Sequence, residues 1–134
     1  MSMIAATTSV VVATRDRDLS ESVVAAFEPL GPRAPRVTQV ASGAECITAL
    51  CLLNPTLLVF DDAVTDRPGP ELVDEVHRLR PNVRVVYIAS DHSMNLERAA
   101  RCVGVLFYVA RPLDTELLEP MLLGVLDRAN RNAS

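Results

Sequence analysis

The sequence contains no lysine and no tryptophan, and only 4% of its residues are aromatic. All 13 basic residues are arginines, and the formal net charge is −4. Because nucleic-acid binding usually needs a basic face, this acidic balance argues against direct nucleic-acid binding. No apolar stretch approaches the roughly 20 residues of a membrane span. The opening residues 1–6 lack the basic region and apolar core of a secretion signal. We therefore expect a cytoplasmic protein without membrane contact.

Cysteine is scarce and glycine is absent where a nucleotide-binding loop would need it. The chain has three cysteines, an odd number, at Cys46, Cys51 and Cys102. Their spacing indicates neither a disulfide framework nor a metal site. We expect them to be small apolar core residues in a reducing compartment. The segment 14–18, after the first apolar run, has no glycine. It therefore cannot easily wrap a phosphate, which argues against a dinucleotide or P-loop site.

Strand and helix patterns alternate along almost the whole chain. At 134 residues and 49% hydrophobic composition, the chain fits one domain, residues 1–134, with a core at about 8–129. Apolar runs predict five strands at about Thr8–Ala13, Arg36–Ala41, Thr56–Asp61, Val83–Ala89 and Val105–Ala110. Helices are predicted to begin near Asp18, Ser42, Pro70, Ser93 and Asp114, with the spacing of a capping box at Asp18–Glu21 and at Ser42–Glu45. The second helix is expected to turn Ala44, Ile47, Leu50 and Leu53 inward. We also expect Pro120 to kink the fifth helix or delay its start.

This alternation predicts an α/β fold, a (βα)5 doubly wound parallel sheet with helices on both faces. The flavodoxin-like strand order 2-1-3-4-5 would place the first and third strands together at the centre. Right-handed crossovers then bring the carboxyl ends of all five strands to one edge of the sheet. We call this edge the rim.

An acid and a base end two of the predicted buried strands. Asp61 follows the apolar run 57–60, and Arg111 follows the run 105–110. Because ligands bind outside the carboxyl ends of strands in open parallel sheets, we expect the two side chains to meet. The other predicted rim residues are Thr14, Arg15, Asp16, Asp62, Ala89 and Ser90.

The chain resembles the CheY-like receiver domain of two-component response regulators, the single-domain chemotaxis type in particular. The matching residues are Pro55 to Asp61, then Gly69, Gly104, Tyr108 and Arg111-Pro112. The resemblance covers roughly residues 9–129. It implies a role in signal transduction, with phosphate accepted on an aspartate at the end of the third strand.

Carried over residue by residue, the resemblance places Asp61 at the phosphoryl-acceptor position. Thr14 and Arg15 stand where the family has two magnesium-binding acids. Ala89 stands where it has a hydroxyl residue, with Ser90 one step along. Arg111 replaces the family's lysine, and Tyr108 occupies the position of the aromatic that swings between states.

These departures predict a site without magnesium and without a cofactor. A metal ion normally offsets the negative charge of phosphoryl transfer, but Thr14 is neutral and Arg15 is cationic. Asp16 and Asp61 are the remaining candidate ligands, since Asp62 should point to the opposite face from Asp61. We hypothesise that Arg15 and Arg111 bracket Asp61 in place of the ion. The alternative is that Arg15 points into solvent and Asp61 makes a local turn.

Neither histidine is expected to have a catalytic role. His77 lies on the third predicted helix, between Val76 and Arg78, and reads as a solvated residue. His92 lies in a rim loop, where a catalytic or phosphate-accepting role is the less frequent reading.

The preferred function is a degenerate, non-enzymatic receiver that acts through protein–protein contacts. Its protein partner or second copy would bind the face formed by the fourth helix, fifth strand and fifth helix. Candidate anchors on that face are Met94, Leu96, Leu106 and Tyr108. One alternative is a working receiver that accepts phosphate on Asp61. Another is a small enzyme or ligand-binding protein on the same flavodoxin-like fold.

Overall fold

The computed structural model describes residues 8–133, with side chains through Arg128. In this part of the chain, five parallel strands form one sheet in the order β2-β1-β3-β4-β5. The strands are β1 (Ser9–Ala13), β2 (Arg36–Val40), β3 (Leu57–Asp61), β4 (Arg84–Ala89) and β5 (Phe107–Ala110). The order and the parallel pairing confirm the predicted fold class.

Five α-helices connect or follow these strands in the described residues. They are α1 (Arg17–Phe27), α2 (Gly43–Leu53), α3 (Gly69–Leu79), α4 (Met94–Cys102) and α5 (Thr115–Ala133). Short 3₁₀ helices occupy Glu28–Arg33 and Asp62–Val64. Helix α5 is helical across Pro120 and continues beyond the predicted core limit at residue 129. None of the helices in residues 8–133 is long and apolar enough to cross a membrane.

Side-chain caps mark the starts of α1, α2 and α4, whereas α3 follows Pro68 and has none. Ser42 caps α2 by accepting from the Glu45 N–H, as in the predicted capping box, but the Glu45 carboxylate accepts from the Ala41 N–H, one residue before the cap. Helix α1 was predicted to begin near Asp18 and begins at Arg17, and its cap is Asp16, which accepts from the N–H groups of Asp18 and Leu19. Asp16 is therefore held at the rim by the helix that it starts.

The core lies on both faces of the sheet because successive strand residues point to opposite sides. On one face, the strand residues Val11, Leu58 and Phe60 pack with α2, α3 and α4. On the other face, Val10 and Val59 pack with α1 and α5. All five residues of β3 are buried, so Asp61 ends a strand that has no exposed face.

Several predicted side-chain placements are wrong. In α2, Leu53 was expected to face inward but is 38% exposed, and the buried face is formed by Cys46, Ala49 and Leu50. The helix is apolar almost all round, so periodicity gave no clear inward face. Cys46 is a core residue as predicted, whereas Cys51 and Cys102 are exposed.

His77 is not a simply solvated residue. Its Nδ1 lies 2.8 Å from the Val103 carbonyl oxygen, and its Nε2 lies 3.2 Å from the Val83 carbonyl oxygen. Gly104, with φ +91°, packs against the His77 ring. The histidine thus joins α3 to the segments that precede β4 and β5, a role that its sequence neighbours do not reveal.

Candidate functional site

Asp61 ends β3 at the rim and is only 2% exposed. Its Oδ1 accepts a hydrogen bond of 3.1 Å from the Ala63 N–H, so the carboxylate also caps the short 3₁₀ helix that follows. Its Oδ2 accepts two further hydrogen bonds, from Thr14 and Arg111. A carboxylate with so little water around it depends on these three donors.

Thr14 contacts Asp61 from the end of β1. It is fully buried, and its hydroxyl donates to Asp61 Oδ2 at 2.7 Å while accepting from the Asp16 N–H at 3.0 Å. The Thr14 backbone is fixed by β2, because its N–H donates to the Val40 carbonyl and its carbonyl accepts from Gln39 Nε2. A neutral hydroxyl therefore lies against Asp61 where the receiver resemblance implies an acid.

Arg111 contacts Asp61 from the end of β5. Its backbone N–H donates to the Ala89 carbonyl at 3.0 Å, which continues the β4–β5 pairing, and a cis peptide bond joins it to Pro112. One guanidinium nitrogen donates to Asp61 Oδ2 at 2.9 Å, and another donates to Asp16 Oδ2 at 3.0 Å. The predicted meeting of Asp61 and Arg111 is present in the structure.

Asp16 completes what we call the acid–arginine cluster: Thr14, Asp16, Asp61 and Arg111. Burial acts to raise the pKa of Asp16, but hydrogen bonds from the Leu19 N–H, Arg111 and the Asp18 N–H outweigh it, and this pKa is lowered. Burial acts to lower the pKa of Arg111, but Asp61 and Asp16 raise it above its ordinary value. The cluster therefore holds one cation between two carboxylates.

The hypothesis that Arg15 and Arg111 both contact Asp61 is correct for Arg111 and wrong for Arg15. Arg15 is exposed, and its Nε donates to the Ala41 carbonyl at 3.0 Å. Thr14 faces Asp61 instead, because neighbouring residues at the end of a strand point in different directions. Arg15 lies at the rim, as predicted, but it is tied to the β2–α2 connection.

The residues at the rim do not fit the magnesium ion that the resemblance implies. Magnesium binds through carboxylate oxygens and its own waters, but Asp61 Oδ2 already accepts from Thr14 and Arg111, and Asp16 Oδ2 accepts from Arg111. The cation shared by the two candidate ligands is a guanidinium. Within residues 8–133, no three His, Cys, Asp or Glu side chains are grouped closely enough to hold a metal.

Asp62 points away from Asp61, as predicted, and forms a second set of contacts. Its Oδ2 accepts from the Tyr87 hydroxyl at 2.9 Å, and its Oδ1 accepts from the Ser90 N–H at 2.9 Å and the Ser90 hydroxyl at 2.7 Å. Ala89 is fully buried at the end of β4. The Ser90 hydroxyl, one residue after Ala89 in the chain, donates to Asp62.

Tyr108 stacks on Tyr87, with ring centroids 5.6 Å apart and an interplanar angle of 14°. The Tyr108 hydroxyl lies 2.9 Å from His92 Nδ1. Burial first, and then the nearby Glu97 and Asp62 charges, raise the pKa of Tyr108. We call Asp62, Tyr87, Ser90, His92 and Tyr108 the tyrosine cluster.

Tyr87 is the member of this cluster that sequence reasoning missed. It is fully buried, and burial together with the Asp62 hydrogen bond and charge raises its pKa, so its hydroxyl remains a donor. Gly69 makes room for it, because a Cβ there would overlap the Tyr87 hydroxyl and lie 2.8 Å from Cζ. One signal was available: a tyrosine inside an aliphatic buried strand needs a hydrogen-bond partner.

A cleft of about 570 Å³ opens beside the acid–arginine cluster, between the start of α1 and the β5–α5 connection. Asp16 and Arg111 form its polar end, and apolar side chains such as Leu19, Leu113 and Leu118 form its walls. Its volume is within the usual range for small-molecule sites. This cleft is the place on the rim where the ligand-binding alternative would put a small molecule.

Comparison with known proteins identifies the fold. No protein-family model matches the chain, and neither does any curated protein. Among solved structures, a CheY-like receiver domain from Methanospirillum hungatei JF-1 is 20% identical, with a TM-score of 0.80 over 95% of this chain and 99% of that one. The receiver domain of a LuxO repressor protein from Vibrio parahaemolyticus is 16% identical, with a TM-score of 0.81 over 95% of each chain.

A third structure is the beryllofluoride-activated NtrC4 receiver domain, solved as a dimer. It is 17% identical, with a TM-score of 0.76 over 90% of this chain and 98% of that one. At these identities the likeness establishes the fold. The chain has the fold of response-regulator receiver domains, which confirms the resemblance at the level of architecture.

Proposed function

We propose that this chain is a degenerate receiver domain that acts in signal transduction by protein–protein contact, without magnesium-dependent phosphorylation of Asp61 and without an enzymatic activity of its own. The observation that carries the proposal is the Arg111 guanidinium, which is hydrogen-bonded to both Asp61 and Asp16. Arg111 thereby occupies the Asp16 carboxylate, and Thr14 stands where the resemblance implies a metal-binding acid, so the cluster offers a divalent ion no second free carboxylate.

The contacts of Asp61 support this proposal. Its Oδ2 accepts from two donors, and the Thr14 hydroxyl among them is fully buried. A phosphoryl group bonded to this oxygen would displace both donors and add negative charge beside Asp16. Without a divalent ion, one arginine would have to offset all of that charge.

The residues that would pass on a phosphorylation signal also differ from those that the resemblance implies for a working receiver. Ala89 has no hydroxyl with which to contact a phosphoryl oxygen, and the Ser90 hydroxyl donates to Asp62. Tyr108 is stacked on Tyr87 and hydrogen-bonded to His92. These contacts favour a single arrangement of Tyr108 and of the surface beside it.

We assign the protein-binding surface to the face formed by α4, β5 and α5. Met94 on α4 is 72% exposed, and Leu117 on α5 is 68% exposed. Leu96 on α4, Leu106 just before β5 and Tyr108 on β5 are half-buried. Strand β5 is an edge of the sheet, so its backbone adds unpaired groups to this surface. Exposed apolar side chains at such an edge suit a protein partner rather than nucleic acid.

A working phospho-accepting receiver is the second candidate, and one observation favours it. Asp61 lies at the carboxyl end of β3 with a basic side chain 2.9 Å from its carboxylate, which is the pairing that the receiver resemblance implies.

Incubation with acetyl phosphate and magnesium, followed by intact-protein mass spectrometry, separates the two candidates. We expect no gain of a phosphoryl group, and no movement of the Ala63, Ser90 and Arg111 amide signals when beryllium fluoride and magnesium are added. Asp61→Asn is the matched control. A phosphoryl adduct that forms on the natural chain and is lost in Asp61→Asn would establish the second candidate.

A further inference from the structure

A second cleft, of about 800 Å³, opens at the amino ends of the strands, at the opposite end of the sheet from the rim. Its walls come from the segment before β3, the end of α3 with its connection to β4, and the segment before β5. Its volume is within the usual range for small-molecule sites. We call it the basic cleft, and its polar lining consists of Asn54, Thr56, His77, Arg80, Asn82 and Arg84.

The charge of the basic cleft is opposite to that of the chain. Arg80 and Arg84 line it, and no Asp or Glu of the described residues does so, although the chain has a net charge of −4. The salt bridges of the described residues lie elsewhere, at Arg67, Arg78, Arg101 and Arg111. Because no carboxylate offsets the two positive charges, the electrostatic potential in the cleft favours an anion.

Arg80 has a structural role that accounts for part of its bonding capacity. Its guanidinium donates to the carbonyl oxygens of Leu50 and Cys51, both at 2.8 Å, which satisfies carbonyls that the end of α2 leaves free. These bonds use Nε and Nη2, so Nη1 keeps two N–H donors for a ligand. Because the carbonyls already hold the side chain in place, less entropy is lost when an anion binds to it.

Arg84 has no such structural role. It begins β4, where its backbone N–H donates to the Thr56 carbonyl oxygen at 3.0 Å, and the residue is half-buried. Within the described residues, its guanidinium takes part in none of the salt bridges and makes no hydrogen bond. Charged groups that are partly withdrawn from water are normally paired, so Arg84 is the group in this cleft that calls for a partner.

Neutral hydrogen-bonding groups lie beside the two arginines. Asn54, Thr56 and Asn82 contribute two amides and one hydroxyl to the cleft, and each of these groups can both donate and accept. His77 is less available, since both of its ring nitrogens lie against backbone carbonyl oxygens. This lining suits a ligand that carries hydroxyl groups next to its negative charge.

We propose that the basic cleft binds a small phosphate-bearing molecule, with the phosphate on Arg80 and Arg84 and hydroxyl groups on Asn54, Thr56 and Asn82. A phosphate monoester carries nearly two negative charges at pH 7 and offers three strong acceptor oxygens, which suits two guanidinium groups. A single carboxylate carries half of that charge. The net charge of −4 disfavours nucleic acid as the source of the phosphate.

The basic cleft is distinct from the site at Asp61. Thr56 precedes β3 and Asp61 ends it, so the full length of a strand separates the two regions. Binding in the cleft needs neither phosphorylation of Asp61 nor its absence. The inference therefore does not depend on the function proposed above.

An NMR titration of the full chain with glucose 6-phosphate tests the proposal, with glucose as the matched neutral probe. We expect the amide signals of Val83, Arg84 and Gly104 to move with glucose 6-phosphate, at a dissociation constant of about 1 mM or lower, and to stay in place with glucose. No movement, movement confined to the amides of Asp16 and Arg111, or an equal response to glucose would each overturn the proposal. So would a single-stranded oligonucleotide that binds to the same residues more tightly.

Arg84→Met is the decisive variant, because it removes a cation without removing a contact. We expect it to keep the melting temperature of the natural chain and to raise the dissociation constant about tenfold or more. Arg84→Lys keeps the charge but loses the planar fork, so its dissociation constant should lie between the two. Arg98→Met is the control, since Arg98 is exposed on α4 outside the cleft. Equal losses of affinity in Arg84→Met and Arg98→Met would reveal only an effect of net charge and contradict the proposal.

Discussion

Asp61 and Asp62 are neighbours in the chain, yet they belong to two clusters that are stabilised by different kinds of interaction. Asp61 accepts from a cationic guanidinium, a buried hydroxyl and one backbone N–H. Among the residues that the structure describes, Asp62 accepts from the neutral donors of Tyr87 and Ser90. The first cluster crosses from β5 to α1 through ion pairs, and the second joins β3 to β4 through hydroxyl and amide hydrogen bonds.

The difference follows from the direction in which each carboxylate points. Asp61 is the last residue of a strand buried on both faces, so its charge needs a charged partner. Asp62 begins the next short helix near the surface and can be served by neutral donors. Removal of a hydrogen-bond partner should therefore lower the free energy of unfolding more in the acid–arginine cluster than in the tyrosine cluster.

Replacement of Arg111 by methionine should have the largest effect. It removes the one cation that bonds to Asp61 within the described residues, and Asp61 would remain 2% exposed with two neutral donors. We expect the free energy of unfolding to fall by about 3 kcal/mol, measured by urea denaturation. Arg67→Met is the control, since Arg67 pairs with Glu75 at the surface and should cost less than about 1 kcal/mol. Equal losses from the two variants would contradict the account of Asp61.

Gly69→Ala should strain the tyrosine cluster. The new Cβ would overlap the Tyr87 hydroxyl, and the ring cannot withdraw because it packs edge-on against Phe60 at 5.5 Å. We expect a loss of about 2 kcal/mol in the free energy of unfolding. Gly124→Ala should be neutral or stabilising, since nothing lies within 4 Å of a Cβ added there and alanine favours helix. A neutral Gly69→Ala would show that the Tyr87 pocket is not closely packed.

Tyr87→Phe should have a smaller effect, because Asp62 keeps both donors from Ser90. We expect a loss of about 1 kcal/mol for the missing hydrogen bond. Tyr108→Phe removes the hydroxyl from a half-buried residue that contacts exposed His92, and it should cost less. Urea denaturation of both variants measures the difference. If Tyr108→Phe costs more than Tyr87→Phe, Tyr108 rather than Tyr87 is the centre of the tyrosine cluster.

The smallest expected effect is the dependence of folding stability on pH that comes from Asp16. Its pKa in the folded chain lies below the ordinary value of 3.8, so the folded state binds its proton less readily than the unfolded state. The resulting stability is fully present above the unfolded pKa and is lost as the pH falls through the folded pKa. Because the side chain is 35% exposed, we expect roughly a few tenths of a kcal/mol.

Thermal unfolding of Asp16→Asn and the natural chain between about pH 5 and pH 2 checks this sign. The difference in melting temperature should narrow toward the acid end. A difference that widens as the pH falls would mean that Arg111 does not stabilise the Asp16 carboxylate.

Much of the fold could be predicted from local patterns. The five apolar runs became five strands, and Ser42 and Ser93 cap α2 and α4 through their own hydroxyls, because period and capping are local properties. Faces were harder to predict. Leu53 in α2 is exposed against expectation, because a helix that is apolar on all sides does not indicate its inward direction.

At the site, the meeting of Asp61 with Arg111 was predicted from strand ends alone, since parallel topology brings them to one rim. The contacts around that pair were not. Arg15 and Thr14 are adjacent in the chain, and the choice of which one faces Asp61 depends on how the end of β1 turns against β2. Tyr87 likewise became part of the site through its position on β4 beside Asp62.

The sequence by itself determined the alternation of strands and helices, the charge on each side chain, and the lack of an acid at positions 14 and 15. These depend on residue type and spacing. Only the tertiary structure decided that Arg111 joins Asp61 to Asp16, residues that lie 50 and 95 positions away in the chain. The physical reason is that a buried carboxylate is satisfied by whichever donors the packed chain brings within hydrogen-bond distance, and packing is set by contacts distant in sequence.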